Sequence, residues 1–207
     1  MKVSLAKIKP DFEKLQKDRY VSAGFRYKHI VRFKYTKDNE FVRQPLAPLY
    51  QPLIVNPTHG NIPRYYPEYE PEYPEEIEKV LAHFVVEAKA PVDSVILFQA
   101  QRIICSHNLI GDPSVEGWHR DGVDKVGVMC VDRHNINGGV NLFRRTDGSR
   151  PRQFKMILDP GHLIVFDDRQ CMHRVTSIMP ADQDEVGWRD VFLMSFPECL
   201  WPEFLGW

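Results

Sequence analysis

Between residues 92 and 196 the chain is a run of short apolar segments, each closed by residues that turn the backbone, and few folds accept that pattern. The segments cover 94–105, 125–132, 140–145, 153–158, 162–166, 172–178 and 188–196. The breaks carry Asn135-Ile136-Asn137-Gly138-Gly139, Asp147-Gly148, Asp159-Pro160-Gly161 and Pro180-Ala181-Asp182. Glycine supplies positive φ, proline presets φ, and Asn and Asp bond their own backbone, so each break has a physical cause. Regular short strands of this kind predict a mainly β protein with supporting helices, built as a sandwich or jelly roll.

The first 91 residues read differently. Phe12, Leu15, Gln16 and Arg19 give a weak helical stripe within 11–21. Residues 44–74 hold eight of the sixteen prolines, together with Tyr50, Tyr65, Tyr66, Tyr69 and Tyr73. Proline removes backbone donors, which excludes a central strand or a helix, while the tyrosines offer burial to a wrapping coil near the mouth of a site. From Pro74 a helix is clear. Glu75 and Glu76 suit its first turn, and Ile77, Val80, Leu81, Phe84, Val85 and Ala88 fall on one face, with Pro91 as its stop. The expectation is a single domain over 1–207, with a helical and Pro/Tyr-rich part over 1–91 and the β core over 92–207.

Bulk properties exclude several classes. A net charge of −1 argues against a nucleic-acid or anionic-membrane surface. No apolar run is long enough to span a bilayer, and the first residues lack the apolar stretch of a signal peptide. Cys105, Cys130, Cys171 and Cys199 lack CxxC spacing, so free thiols in a reducing cytoplasm are expected. Oligomeric state is not legible; the apolar end 200–207 could dock on its own core or on a second copy.

His119 and Asp121 stand two apart in Trp118-His119-Arg120-Asp121-Gly122-Val123. On an extended chain residues i and i+2 point the same way, so both can reach one ion. Two histidines and one carboxylate are the ligand set of non-haem Fe(II) oxygenases, which keeps coordination positions open. Two downstream histidines compete for the third place. His162 opens an apolar strand straight after Asp-Pro-Gly, which puts it at the opposite end of the roll. His173 follows the acidic turn Asp167-Asp168 and opens the next strand, so it is the choice. His29, His59, His83, His107 and His134 lack a comparable setting. Arg189 opens the apolar strand 188–196. A cation inside a β-roll needs an anionic partner, and a dicarboxylate cosubstrate would serve. Alternation leaves open whether Arg189 points inward or toward a surface acid.

Four motifs in order carry a resemblance: His119-Arg120-Asp121-Gly122; Asn135-Ile136-x-Gly138-Gly139; Phe166-Asp167-Asp168 with His173-x-Val175-Thr176; and Trp188-Arg189-Asp190-Val191. Over residues 95–196 the chain resembles the Fe(II)/2-oxoglutarate dioxygenases that include free L-amino-acid hydroxylases of the isoleucine 4-hydroxylase type. The first 90 residues carry no matching motif. The resemblance implies a double-stranded β-helix (cupin-like) core, iron on His119, Asp121 and His173, and 2-oxoglutarate with its distal carboxylate on Arg189. Val191 departs from the broader superfamily, which often has Ser or Thr there, so the second partner of that carboxylate is unidentified.

The activity so implied is hydroxylation of an unactivated C–H bond with O₂, while 2-oxoglutarate goes to succinate and CO₂. Asp121 argues against a halogenase. A free L-amino acid is the implied substrate, with Arg120 and Arg102 as candidates for its carboxylate and Gln101 as a contact for the cosubstrate. Two alternatives stand beside it. One is the same iron chemistry on a natural-product intermediate or peptide, including desaturation or cyclisation. The other is a non-enzymatic β-roll binding module.

Overall fold

The alternating, turn-separated segments form eleven antiparallel strands in the computed structural model, which describes residues 2–53, 55, 56, 58, 60–150 and 152–197. A short helix α1 (Leu5–Ile8) runs into a 3₁₀ segment (Lys9–Lys14). Then come β1 (Arg26–Tyr35), β2 (Phe41–Gln44) and helix α2 (Pro74–Ala88). The rest is β3 (Val95–Cys105), β4 (Lys125–His134), β5 (Ile136–Gly138), β6 (Asn141–Arg145), β7 (Gln153–Met156), β8 (Leu163–Asp167), β9 (Cys171–Val175), β10 (Ile178–Pro180) and β11 (Gly187–Phe196).

The major sheet has the order β2-β1-β3-β11-β4-β8, and a minor sheet has the order β7-β6-β9. β10 and β5 form a third, two-stranded pair. Side-chain alternation gives the major sheet two faces. Ile96, Phe98, Ala100, Met129, Phe192 and Met194 point to one side and pack with Val80, Leu81 and Phe84 of α2. Val126, Val128, Cys130, Val191 and Leu193 point to the other and close on Phe166, Met156 and Leu158. Phe143 of β6 meets Phe166 of β8 edge-on at 5.1 Å between ring centroids, which ties the two sheets together. The result is a jelly-roll-like core with one helix supporting its outer face.

Four expectations need amendment. The stripe over 11–21 does not extend into a helix: helical structure ends at Lys14, and Lys17 bridges Tyr27 instead. The segment 172–178 is broken, because β9 pairs with β6 while β10 leaves to pair with β5. Most consequentially, the β core is not confined to 92–207. β1 lies inside the major sheet and pairs with β3 over nine registered positions, from Arg26↔Ile103 to Lys34↔Val95. Its cavity-face positions Arg26, Lys28 and Arg32 are charged, with Ile30 among them, and they alternate with Tyr27, Val31 and Phe33 at the period of a strand, a pattern interrupted only at His29 and Ile30. Helix α2 also stops before Pro91: Lys89 adopts φ 52° and its N–H caps the Val85 and Val86 carbonyls.

The proline-rich stretch is ordered coil laid on the sheet. Leu49 and Arg64 exchange backbone hydrogen bonds of 2.9 Å, and Tyr69 N–H donates to Ile30 O. Tyr66 and Tyr69 are buried while Tyr65 is exposed. Cys105, Cys130 and Cys171 are buried free thiols. Among the described residues no helix is long and apolar enough to cross a membrane. His59, Cys199 and the apolar end 200–207 lie outside the described residues.

Candidate metal centre and its two lobes

His119 and His173 are brought face to face by the backbone. Each donates its N–H to the other's carbonyl, at 3.1 and 2.9 Å, forming an isolated antiparallel bridge. Residues paired this way project side chains on the same side, and the two imidazole centroids are 4.3 Å apart. Asp121 follows in a turn. Its carboxylate oxygens lie 3.9 Å from His119 Nε2 and 3.7 Å from His173 Nε2. One donor atom from each of the three residues falls within 4.8 Å of the others. Donors that share an ion at bonds of ~2.1 Å sit no more than ~4.2 Å apart, so the two measured separations fit a common metal.

The surroundings prepare these atoms for that role. His119 Nδ1 is 2.9 Å from Gly117 O, so Nδ1 carries the proton and Nε2 keeps its lone pair toward the triad. Burial, with His119 alongside, pushes His173 down to about 3, so its ring is neutral at physiological pH. Asp168 is 1% exposed and lies 3.7 Å from His173 Nδ1. Its carboxylate also accepts the backbone N–H groups of Asp121, Gly122 and Val123, at 3.0, 2.8 and 3.3 Å. Asp168 therefore holds the turn that carries Asp121. Burial, then the Asp121 charge, raises its pKa. His162 is left exposed beside Asp159, away from the triad.

Two cavities meet at the triad and share Gln101, Pro113, His119, Asp121, Val126 and Leu193. The first, about 80 Å³, runs inward to Arg189 and Asn141. Arg189 points into the roll and is 1% exposed. It donates to Asn141 Oδ1 at 3.3 Å, its Nε has no partner, and no carboxylate of the described residues forms an ion pair with it. Burial lowers it to about 10, so it remains a cation at neutral pH. A buried guanidinium with no acid leaves room for a ligand carboxylate.

The second cavity, about 100 Å³, opens between the inner face of β1 and β3 and the proline-rich coil. Arg26, Lys28, Gln99 and Gln101 come from the strands, and Leu49, Gln51, Asn56 and Arg64 from the coil.

The other sequence candidates divide. Gln101 is buried and lines both cavities. Arg120 lines the second and donates to Thr146 Oγ1 at 2.8 Å. Arg102 is a correction. Alternation along β3 turns it to the helix side of the sheet, opposite Asp190. There it grips Asp190 through two bonds of 2.7 and 2.8 Å and reaches Glu13 at 2.7 Å, so it does not face the cavities. Asp168, Asn141, Lys28 and Arg64 were not singled out from the sequence. Only Asp168 had a local signal, its place in the acidic turn before His173.

Comparison with solved structures supports the same architecture. A BsmA homologue from Methylobium petroleophilum PM1 superposes with a TM-score of 0.75 at 25% identity, covering 90% of this chain and 77% of that one. IDO from Bacillus thuringiensis gives 0.67 at 15% identity, with 92% and 80% covered. The Fe(II)/α-ketoglutarate-dependent dioxygenase TqaL gives 0.64 at 16%, with 92% and 73% covered. No curated protein matches the sequence significantly. The sequence model of the 2OG-Fe dioxygenases, however, matches residues 9–195, which takes in β1, the triad and Arg189 together. With that match and a His-Asp-His cluster in place, the chain belongs to the 2OG-Fe dioxygenase family, a 2-oxoglutarate-dependent dioxygenase that uses Fe(II), 2-oxoglutarate and O₂.

Proposed function

We propose that the protein hydroxylates an unactivated C–H bond of a free L-amino acid, with His119, Asp121 and His173 as the iron ligands. The observation that carries this reading is the triad's position where two lobes meet, one ending in the acid-free Arg189 and the other lined by polar side chains. Iron and 2-oxoglutarate, once bound, supply the oxidising power, with loss of CO₂ and reduction of O₂.

The chain's own residues bind, orient and exclude. Arg189 takes the distal carboxylate of 2-oxoglutarate, and Asn141 fixes the guanidinium from behind. Asn141, which lines the same lobe, is the candidate to stand in for the hydroxyl that Val191 lacks. Gly117 O sets the His119 ring and Asp168 the Asp121 turn before the metal arrives, so little reorganisation is needed there. Val126, Val128, Phe143, Phe166 and Leu193 wall the inner lobe and keep water from it. The small second lobe supports a substrate of metabolite size, far below the ~300 Å³ of drug-sized pockets.

Two substitutions separate the roles. His173→Ala should abolish Fe(II) binding. Arg189→Ala should leave iron bound while raising the 2-oxoglutarate dissociation constant ~30-fold or more, the cost of one buried charge pair. Both are read by anaerobic titration of the Fe(II)–2-oxoglutarate absorption band. Tight cosubstrate binding by Arg189→Ala would refute its assignment. Succinate formation and the gain of one oxygen on a panel of L-amino acids test the substrate class. If turnover follows a peptide or another metabolite instead, that class is wrong while the iron reading stands.

A further inference from the structure

The second lobe contains more positive charge than the protein neutralises. Arg26 is answered by Asp18 at 2.7 Å. Lys28 is not: it is 7% exposed, its ammonium lies 4.7 Å over the Tyr66 ring, and no described carboxylate pairs with it. Arg64 is 3% exposed, binds Gln51 Oε1 through one nitrogen, and leaves its buried Nε without a partner. Both reach this lobe from separate parts of the chain, Lys28 from β1 and Arg64 from the coil. A buried cation without an acid is expensive, and an apolar side chain of the same size would serve the fold better. The same lobe holds acceptors: Gln99 Oε1, buried and unpartnered, and the Glu116 carboxylate.

We propose that Lys28 and Arg64 form the clamp for the carboxylate of the amino-acid substrate, with Gln99 and Glu116 as acceptors for its ammonium. This rests on the iron and 2-oxoglutarate reading above and assigns the substrate end of the same site. The clamp replaces Arg102, which lies on the other face of the sheet, and leaves Arg120 with no assigned carboxylate. It also gives the two lobes separate anion sites, Arg189 for the cosubstrate and Lys28 with Arg64 for the substrate, so each acid has its own cation. Burial and the neighbouring Arg26 and Arg64 push Lys28 down to about 7, and a bound carboxylate would restore its charge.

The test is anaerobic calorimetry on the Fe(II)- and 2-oxoglutarate-loaded protein. The probes are the twenty L-amino acids and their α-carboxamides, which keep shape and ammonium but lose the anion. At least one acid should bind, about 100-fold more tightly than its amide. Lys28→Met and Arg64→Met should each weaken that acid ~10-fold or more, with 2-oxoglutarate affinity unchanged. Lys28→Arg should recover part of the loss. The proposal is overturned if no acid binds, if an amide binds as well as its acid, or if both methionine variants keep full affinity. Should those variants misfold, the acid-against-amide comparison on the unaltered protein decides alone. Failure of the unaltered protein to develop the Fe(II)–2-oxoglutarate band would instead refute the underlying iron reading.

Discussion

Asp168 accepts three backbone N–H groups from the turn that carries Asp121, and it is buried while doing so. Charge-assisted bonds of this kind resist water and define where the neighbouring carboxylate sits. Asp168→Ala should therefore weaken iron ~10- to 100-fold and cost ~1–3 kcal/mol of stability, read by chelator competition and urea unfolding. Unchanged iron affinity would leave Asp168 a purely structural residue. Lys28 permits a test of a different kind. Its pKa is about 7 in the folded protein against the usual 10.5. The groups that set it are burial, Arg26 and Arg64, opposed by Asp18 and Asp121. Between those two values the unfolded chain holds the proton and the folded one does not. The penalty is thus fully present below pH 7 and fades as pH rises toward 10.5. Stability of the metal-free protein should gain a rising component across that window. Lys28→Met should remove it and raise stability at pH 7. A flat difference between variant and parent from pH 7 to 10 would contradict the buried, unpaired state of Lys28.

At the scale of elements, helix α2 and the outer face of the major sheet are fitted to each other at Gly127. A Cβ there would lie 2.6 Å from the Phe84 ring, and Phe84 is fully buried. Gly127→Ala should destabilise by ~1–3 kcal/mol through overpacking. Phe84→Leu in the same chain should recover part of that loss, because the two changes share one space. Additive losses in thermal or urea unfolding would show that the helix moves to make room. The helix itself was legible in the sequence, since its apolar face repeats with helical period and its first turn carries two acids. β1 carried a signal too, since Tyr27, Val31 and Phe33 on the helix side alternate with Arg26, Lys28 and Arg32 on the cavity side, interrupted only at His29 and Ile30. What the sequence did not show is that this charged face is turned into a cavity and not to solvent.

At the scale of the whole molecule, the candidate metal site joins distant parts of the chain. His119 and Asp121 precede β4, His173 lies on β9 of the other sheet, and Asp168 ties the β8–β9 turn back to Asp121. Metal bound there should favour the folded state alone. At a hundredfold excess over its dissociation constant it should add ~2.7 kcal/mol, read as a rise in unfolding midpoint with Fe(II) under anaerobic conditions. His173→Ala should abolish that rise, and a rise that survives would place the metal elsewhere.

What the amino-acid order determines by itself is what short-range chemistry encodes. The turn residues, the period-two strands after residue 92, the helix from Pro74 and the candidate ligand types at 119, 121 and 173 are all of that kind. These depend on backbone preferences and spacing, which act within a few residues. Tertiary structure alone decided the rest. It showed that Arg189 points inward with no acid beside it and that Arg102 is turned away onto Asp190. It also showed that Lys28 and Arg64, from two segments without a recognisable motif, meet in one lobe. The reason is that the charge state and purpose of a buried cation depend on which groups surround it. In this protein those groups arrive from strands and coil far apart in sequence, through pairings that no local pattern records.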